Sequence, residues 1–198
     1  MLAAAMAAHD ATPPSASRAA APRQPVAIAA GAARVTFVWR ADRWCHDVTL
    51  PAEPTAAAAA ATTWRSLDGP WPADGDPRWP ASPALVELSW VDAADGGSPP
   101  TSARGGPAIL GVGMAGRSHY SASVVRDPLV ADAVRFEIAC RLHDGPGWVG
   151  STYREGPRIV RVEADAAGGL PRTVVWSYSL GPGGIFGVRG ATVSTTRA

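Results

Sequence analysis

Between Val134 and Leu142 every second residue is apolar: Val134, Phe136, Ile138, Cys140 and Leu142 alternate with a set that includes Arg135, Glu137 and Arg141. Successive side chains of a β-strand point to opposite faces, so this period of two puts an apolar row on one side and a charged row on the other. A helix cannot separate the same residues in that way. The stretch therefore predicts a strand with one buried and one solvated face.

The pattern recurs along the chain. Val35, Phe37 and Trp39 alternate with Thr36 and Val38; after residues 40–43 the alternation resumes as Trp44, His46, Val48 and Leu50 against Cys45, Asp47 and Thr49. Two adjacent runs of this kind predict a hairpin in which Trp39 faces Trp44, Phe37 faces His46 and Val35 faces Val48. Further strands are expected over residues 85–91, 108–114, 118–125, 148–154, 158–163, 172–180, 184–189 and 191–195. Turn chemistry separates them, as in His143-Asp144-Gly145-Pro146-Gly147. About ten strands at short intervals predict an all-β fold, an antiparallel β-sandwich or flattened barrel. The solvated polar faces favour antiparallel over parallel sheets. No internal repeat points to a propeller or solenoid.

Two stretches lack this periodicity. Residues 1–32 are rich in Ala, Pro and Ser and carry too little apolar surface to offset ordering entropy, so a disordered arm is expected there, with a short helix over residues 2–8 as its one candidate element. The β domain is then 33–198, interrupted by an insertion at 51–83. Within the insertion Thr55 precedes the Ala run at 56–61, and Thr55 as N-cap with Gly69 as the residue past the C-cap would bracket one short helix. Residues 70–83 carry five Pro together with Trp71 and Trp79. Pro prevents a regular ladder, and the two Trp predict a segment packed by its aromatic rings. Residues 92–104 read as a loop.

Charge narrows the function classes. All 18 basic residues are Arg, they are scattered, and the net charge is +1. A nucleic-acid partner would need a basic stripe, so none is expected. No run approaches the ~20 apolar residues of a membrane span. The amino terminus has no basic region before its short Ala-rich run, which does not match a secretory signal and predicts a cytoplasmic protein. The 8 Trp supply large apolar areas and are expected mostly in the core or at strand ends.

Cys45, His46, Cys140 and His143 together have the composition of a zinc site. Strand geometry separates them, because Cys140 falls on an apolar face, Cys45 on the polar face of its hairpin, and His143 in a turn. No metal, cofactor or disulfide scaffold is expected, and His46 reads as a core or rim histidine.

The hairpin around Ala115 is the most suggestive surface. Pairing Leu110 with Tyr120 and Val112 with Ser118 would bury Leu110, Val112, Tyr120, Ala122 and Val124. The other side would carry Gly111, Gly113, Arg117, His119, Ser121 and Ser123, with His119 opposite Gly111 and Arg117 opposite Gly113. Glycine within a strand marks close approach by a backbone or a ligand. The resulting surface, Arg117, His119, Ser121 and Ser123 with Arg141, would suit a small polar or anionic ligand or a protein partner. Ser121 and Ser123 lie ~7 and ~13 Å along the strand from His119, too far for a nucleophile–base pair, and no catalytic residue can be named. The function expected is a non-enzymatic ligand-binding or interaction module. The alternatives are a hydrolase or lyase with His119 or His143 as general base, and a structural or assembly protein docking through the insertion or the arm.

Overall fold

The computed structural model describes residues 23–51, 61–70, 76, 78–91, 106–145 and 148–197. Its strands are β1 (Val26–Ala30), β2 (Ala33–Arg40), β3 (Arg43–Leu50), β4 (Thr62–Ser66), β5 (Glu87–Val91), β6 (Ala108–Ala115) and β7 (Ser118–Arg126). They continue with β8 (Val134–Leu142), β9 (Gly150–Glu155), β10 (Arg158–Ala164), β11 (Arg172–Gly181), β12 (Gly184–Arg189) and β13 (Ala191–Arg197). A seven-stranded antiparallel sheet runs β1-β2-β3-β4-β9-β10-β13 and packs against a six-stranded antiparallel sheet in the order β12-β11-β8-β7-β6-β5. The protein is thus all-β and sandwich-like. Among the described residues there is no helix, and so none long and apolar enough to cross a membrane.

The alternating residues build the core. Val35, Phe37 and Val48 face inward from one sheet, and Val124, Phe136, Ile138 and Trp176 from the other, all buried. The β2–β3 register is Trp39↔Trp44, Phe37↔His46 and Val35↔Val48, as the sequence predicts. Trp44, Trp64, Trp79, Trp148 and Trp176 are buried.

The region between β3 and β9 departs from expectation. Thr62–Ser66, placed by sequence in a helix, is strand β4, hydrogen-bonded to β3 and β9. The β-branched Thr pair and Trp64 suit a strand, and two neighbouring strands supply ladder partners that an isolated helix would lack. Beyond Ser66, the gap is filled by the segment leading to β5. Trp44 N–H donates to the Leu85 carbonyl at 2.7 Å, and Thr152 N–H donates to Ser82 Oγ at 3.2 Å. Ser82 Oγ in turn donates to the Thr152 carbonyl at 3.0 Å, and Trp148 Nε1 donates to the Ala81 carbonyl at 3.2 Å. The chain then reaches the other sheet, where Val86 N–H donates to the Val112 carbonyl at 2.8 Å. The described part of the Trp/Pro insertion is therefore a wedge built into the sandwich.

The wedge sets the face of β6. The observed β6–β7 register is Ala115↔Ser118, Met114↔His119, Val112↔Ser121 and Leu110↔Ser123, not the Leu110–Tyr120 and Val112–Ser118 pairing expected from sequence. Gly111 and Gly113 face inward against the wedge, and Leu110, Val112 and Met114 face outward. A side chain at Gly113 would strike the Ala84 carbonyl, and one at Gly111 would come within 2.8 Å of Leu85 Cδ1. The close approach inferred from the glycines is real, but it is made on the inner side, by backbone at Gly113 and by leucine side chains at Gly111.

At the other boundary, β1 begins at Val26, inside the stretch 1–32 expected to be an arm. It pairs along its length with β2, so Val26 and Ile28 belong to the sheet despite the Ala-rich setting. Just before β1, the Arg23 guanidinium carbon lies 3.7 Å from the centre of the Trp39 ring, and Arg23 Nη1 donates to the Val86 carbonyl at 2.6 Å. The expectations for residues 1–22, the Ala run at 56–60, Trp71 and the loop at 92–104 lie outside the described residues.

A buried polar chain crosses the core. His46 Nε2 and the Tyr153 hydroxyl are 2.8 Å apart, and the Tyr153 and Tyr178 hydroxyls 2.7 Å apart. Tyr178 also hydrogen-bonds Ser151, to which Trp176 Nε1 donates at 3.3 Å. The chain joins β3 and β9 of one sheet to β11 of the other. Burial pushes His46 down to about 4 from an ordinary value of 6.5, against a smaller opposing effect of Asp47.

Two outcomes follow. Gly113→Ala lowers stability in urea unfolding by about 1–3 kcal/mol through overpacking, whereas Gly69→Ala, at a position with no neighbour within 4 Å, has a much smaller effect. In acid, the unfolded chain takes a proton on His46 near 6.5 and the folded chain only near 4, so the unfolded state holds more protons between these values. Folding stability is therefore full above pH 6.5 and falls by roughly 3 kcal/mol as pH drops to 4. His46→Gln is expected to flatten that window, and an NMR titration of the wild type is expected to find His46 largely neutral above pH 5; an imidazole titrating near 6.5 in the folded protein contradicts the assignment.

Candidate functional site on the outer face of the six-stranded sheet

The outward side chains of β5, β6, β7, β8 and β11 form rows fixed by the strand registers. One row is Glu87, Val112, Ser121, Ala139 and Val175; the next is Met114, His119, Arg141 and Thr173. A third contains Leu110, Ser123, Glu137 and Ser177. Ser121 and Ala139 are short and occupy the middle of the sheet, with longer side chains around them. The result is an open groove of about 500 Å³ whose lining includes Glu87, Val112, Met114, His119, Ser121, Ala139, Arg141 and Thr173.

The groove combines exposed apolar side chains with the polar groups of Glu87, His119, Ser121, Arg141 and Thr173. In the lining Val112 is 48% exposed and Met114 51%, and outside it on the same face Val175 is 60% exposed. These values mark apolar side chains on the solvent side of a sheet whose opposite face is core. Arg141 Nη1 donates to Thr173 Oγ1 at 3.4 Å, and among the described residues it makes no ion pair. Arg135 on the same strand is different: its Nε lies 2.9 Å from Glu137 Oε1.

The residues singled out from sequence separate into three groups. His119, Ser121 and Arg141 line the groove together. Ser123 shares their face but lies one row away, beside Leu110 and Glu137. Arg117 is not on the strand face. It occupies the two-residue turn after Gly116, whose φ is 57°, and its Nε lies 3.2 Å from Asp144 Oδ1. Its backbone N–H also donates to Asp144 Oδ2 at 3.3 Å, so this Arg fastens the turn to the one after β8.

Sequence reasoning missed Val112, Met114, Glu87, Thr173 and Val175. A signal for the first two was present. Small residues at 111, 113 and 115 against larger ones at 110, 112 and 114 meant that either set could face inward, and a two-residue turn at Gly116-Arg117 would have selected the observed register.

The two candidate general bases, His119 and His143, are neighbours. The His119 and His143 ring centres are 6.1 Å apart in an edge-on contact. Among the described residues neither ring is hydrogen-bonded to a carboxylate, thiol or hydroxyl, and it is the backbone N–H of His143 that donates to Ser118 Oγ at 3.1 Å. Cys45 and Cys140 are free, buried thiols on different sheets. Burial pushes Cys45 up to about 12, helped by its hydrogen bond with Asp68, and pushes Cys140 up to about 11. Among the described residues no three His, Cys, Asp or Glu side chains converge as a metal site.

No protein-family model, curated protein or solved structure matches the chain.

Because its side chain is already more than half in water, Val175 contributes little to folding. Val175→Thr changes stability in denaturant unfolding by less than about 0.5 kcal/mol. Val174→Thr, at a position 4% exposed, costs at least about 1 kcal/mol by burying a hydroxyl in the core. Equal losses would show that the outer face is covered in solution.

Proposed function

We propose that the protein is a non-enzymatic binding module whose contact surface is the outer-face groove of the six-stranded sheet. The observation that carries this reading is the orientation of β6. Its apolar residues Val112 and Met114 point away from the core, beside His119, Ser121 and Arg141. Contiguous apolar side chains rimmed by polar ones are the usual composition of a contact site, and are rare as idle surface. The polar residues sit around the short floor at Ser121 and Ala139 without forming a hydrogen-bonded acid–base pair, which supports binding over catalysis.

Filling the floor tests the reading. In an NMR screen of small carboxylates, phosphates, sugars and extended peptides, compounds that bind are expected to shift the Met114 methyl and His119 ring signals. Ser121→Trp is expected to abolish those shifts while leaving the melting temperature within a few degrees. Binding that persists unchanged in a folded Ser121→Trp protein, or a screen in which no compound perturbs either signal, overturns the assignment of this face.

A further inference from the structure

Resting on the groove as the contact surface, we infer that its ligand is a small amphipathic carboxylate, with its anionic head at Arg141 and its apolar body along Val112 and Met114.

The charge pattern carries the argument. Among the described residues Arg141 is the one arginine of the lining, and its guanidinium makes only the long contact to the Thr173 hydroxyl. A planar guanidinium with free donors pairs with a carboxylate through two parallel hydrogen bonds. Thr173 stands beside it as a hydroxyl donor, and His119 is its partner across the β7–β8 ladder. Three other arginines of the fold are paired with carboxylates, Arg117 with Asp144, Arg135 with Glu137 and Arg158 with Glu155. The last of these lines the second hollow, about 360 Å³ beside Trp64, whose cation is thereby neutralised.

The opposite end sets the orientation. Glu87 on β5 stands three strands from Arg141 on β8, a separation of about 14 Å at the usual strand spacing. It repels a second anion there and favours one head group at the Arg141 end. Between the two ends the exposed Val112 and Met114 side chains offer apolar contact above the Ser121–Ala139 floor. A ligand charged throughout would leave that surface uncovered, and a purely apolar one would desolvate Arg141 without a partner.

Octanoate, acetate and 1-octanol separate the components. Octanoate is expected to bind wild-type protein by calorimetry and to shift both Met114 and His119 signals, with acetate and 1-octanol at least about ten-fold weaker. Arg141→Gln is expected to lower octanoate affinity by at least about ten-fold and to leave 1-octanol unchanged. Equal binding of 1-octanol, equal binding of acetate, or an unaltered octanoate affinity in folded Arg141→Gln overturns the inference. So does no binding of octanoate at all. If octanoate fails while another compound gives shifts abolished by Ser121→Trp, the ligand class is wrong and the contact surface stands. If no probe of any class responds, the surface itself is wrong.

Discussion

The backbone of Ala84 lies against Gly113 with no space for a side chain between them. That contact fixes more than one glycine. It places the wedge between β3 and β9, beyond the end of β4, where Leu85 pairs with Trp44 and Ser82 with Thr152. It also decides which face of β6 is inside. Small residues at 111, 113 and 115 fit under the wedge, so the larger residues of the strand are left outside. The apolar character of the outer groove is thus a by-product of how the inner face is filled, and β6 is one strand that couples the candidate site to the core.

The core carries a second constraint of a different kind. Tyr153, Tyr178 and Ser151 are fully or almost fully buried, and His46 is 7% exposed. Each would be costly in an apolar interior without a partner. They partner one another, so the interior is polar along one line and apolar elsewhere. Because the line runs between sheets, a shift of one sheet against the other would break several hydrogen bonds together. Directional contacts of this type add registry to a core otherwise held by non-directional burial.

The strands were legible wherever one face was buried and the other wet. Val134–Leu142 and the β2–β3 hairpin are the clearest cases, and period-two alternation gave their faces and, for the hairpin, their pairing. Legibility failed where the neighbour was distant in sequence. The Thr pair and Trp64 look helical beside an Ala run, and only β3 and β9 make them a strand. Alternation along β6 has two solutions of opposite face, and the choice depends on residues 84 and 85, which a local reading does not connect to it. The candidate residues divide in the same way. His119, Ser121 and Arg141 lie on strands whose faces were read correctly, and the geometry brings them together. Arg117 was assigned to a strand face from the mistaken register and belongs to a turn.

The seam between β3 and β9 also bears on how the chain reaches its fold. The β2–β3, β6–β7, β9–β10 and β11–β12 hairpins join neighbours in sequence and close short loops. The β4–β9 ladder and the Ser82–Thr152 contact join segments far apart in the chain. Pairings of that separation are entropically slow to close. Without the wedge, β3 at Trp44 and β9 at Thr152 would lack those partners beyond the end of β4, and open edge positions invite pairing with another chain. The wedge therefore covers edge positions that would otherwise be open to pairing with another chain.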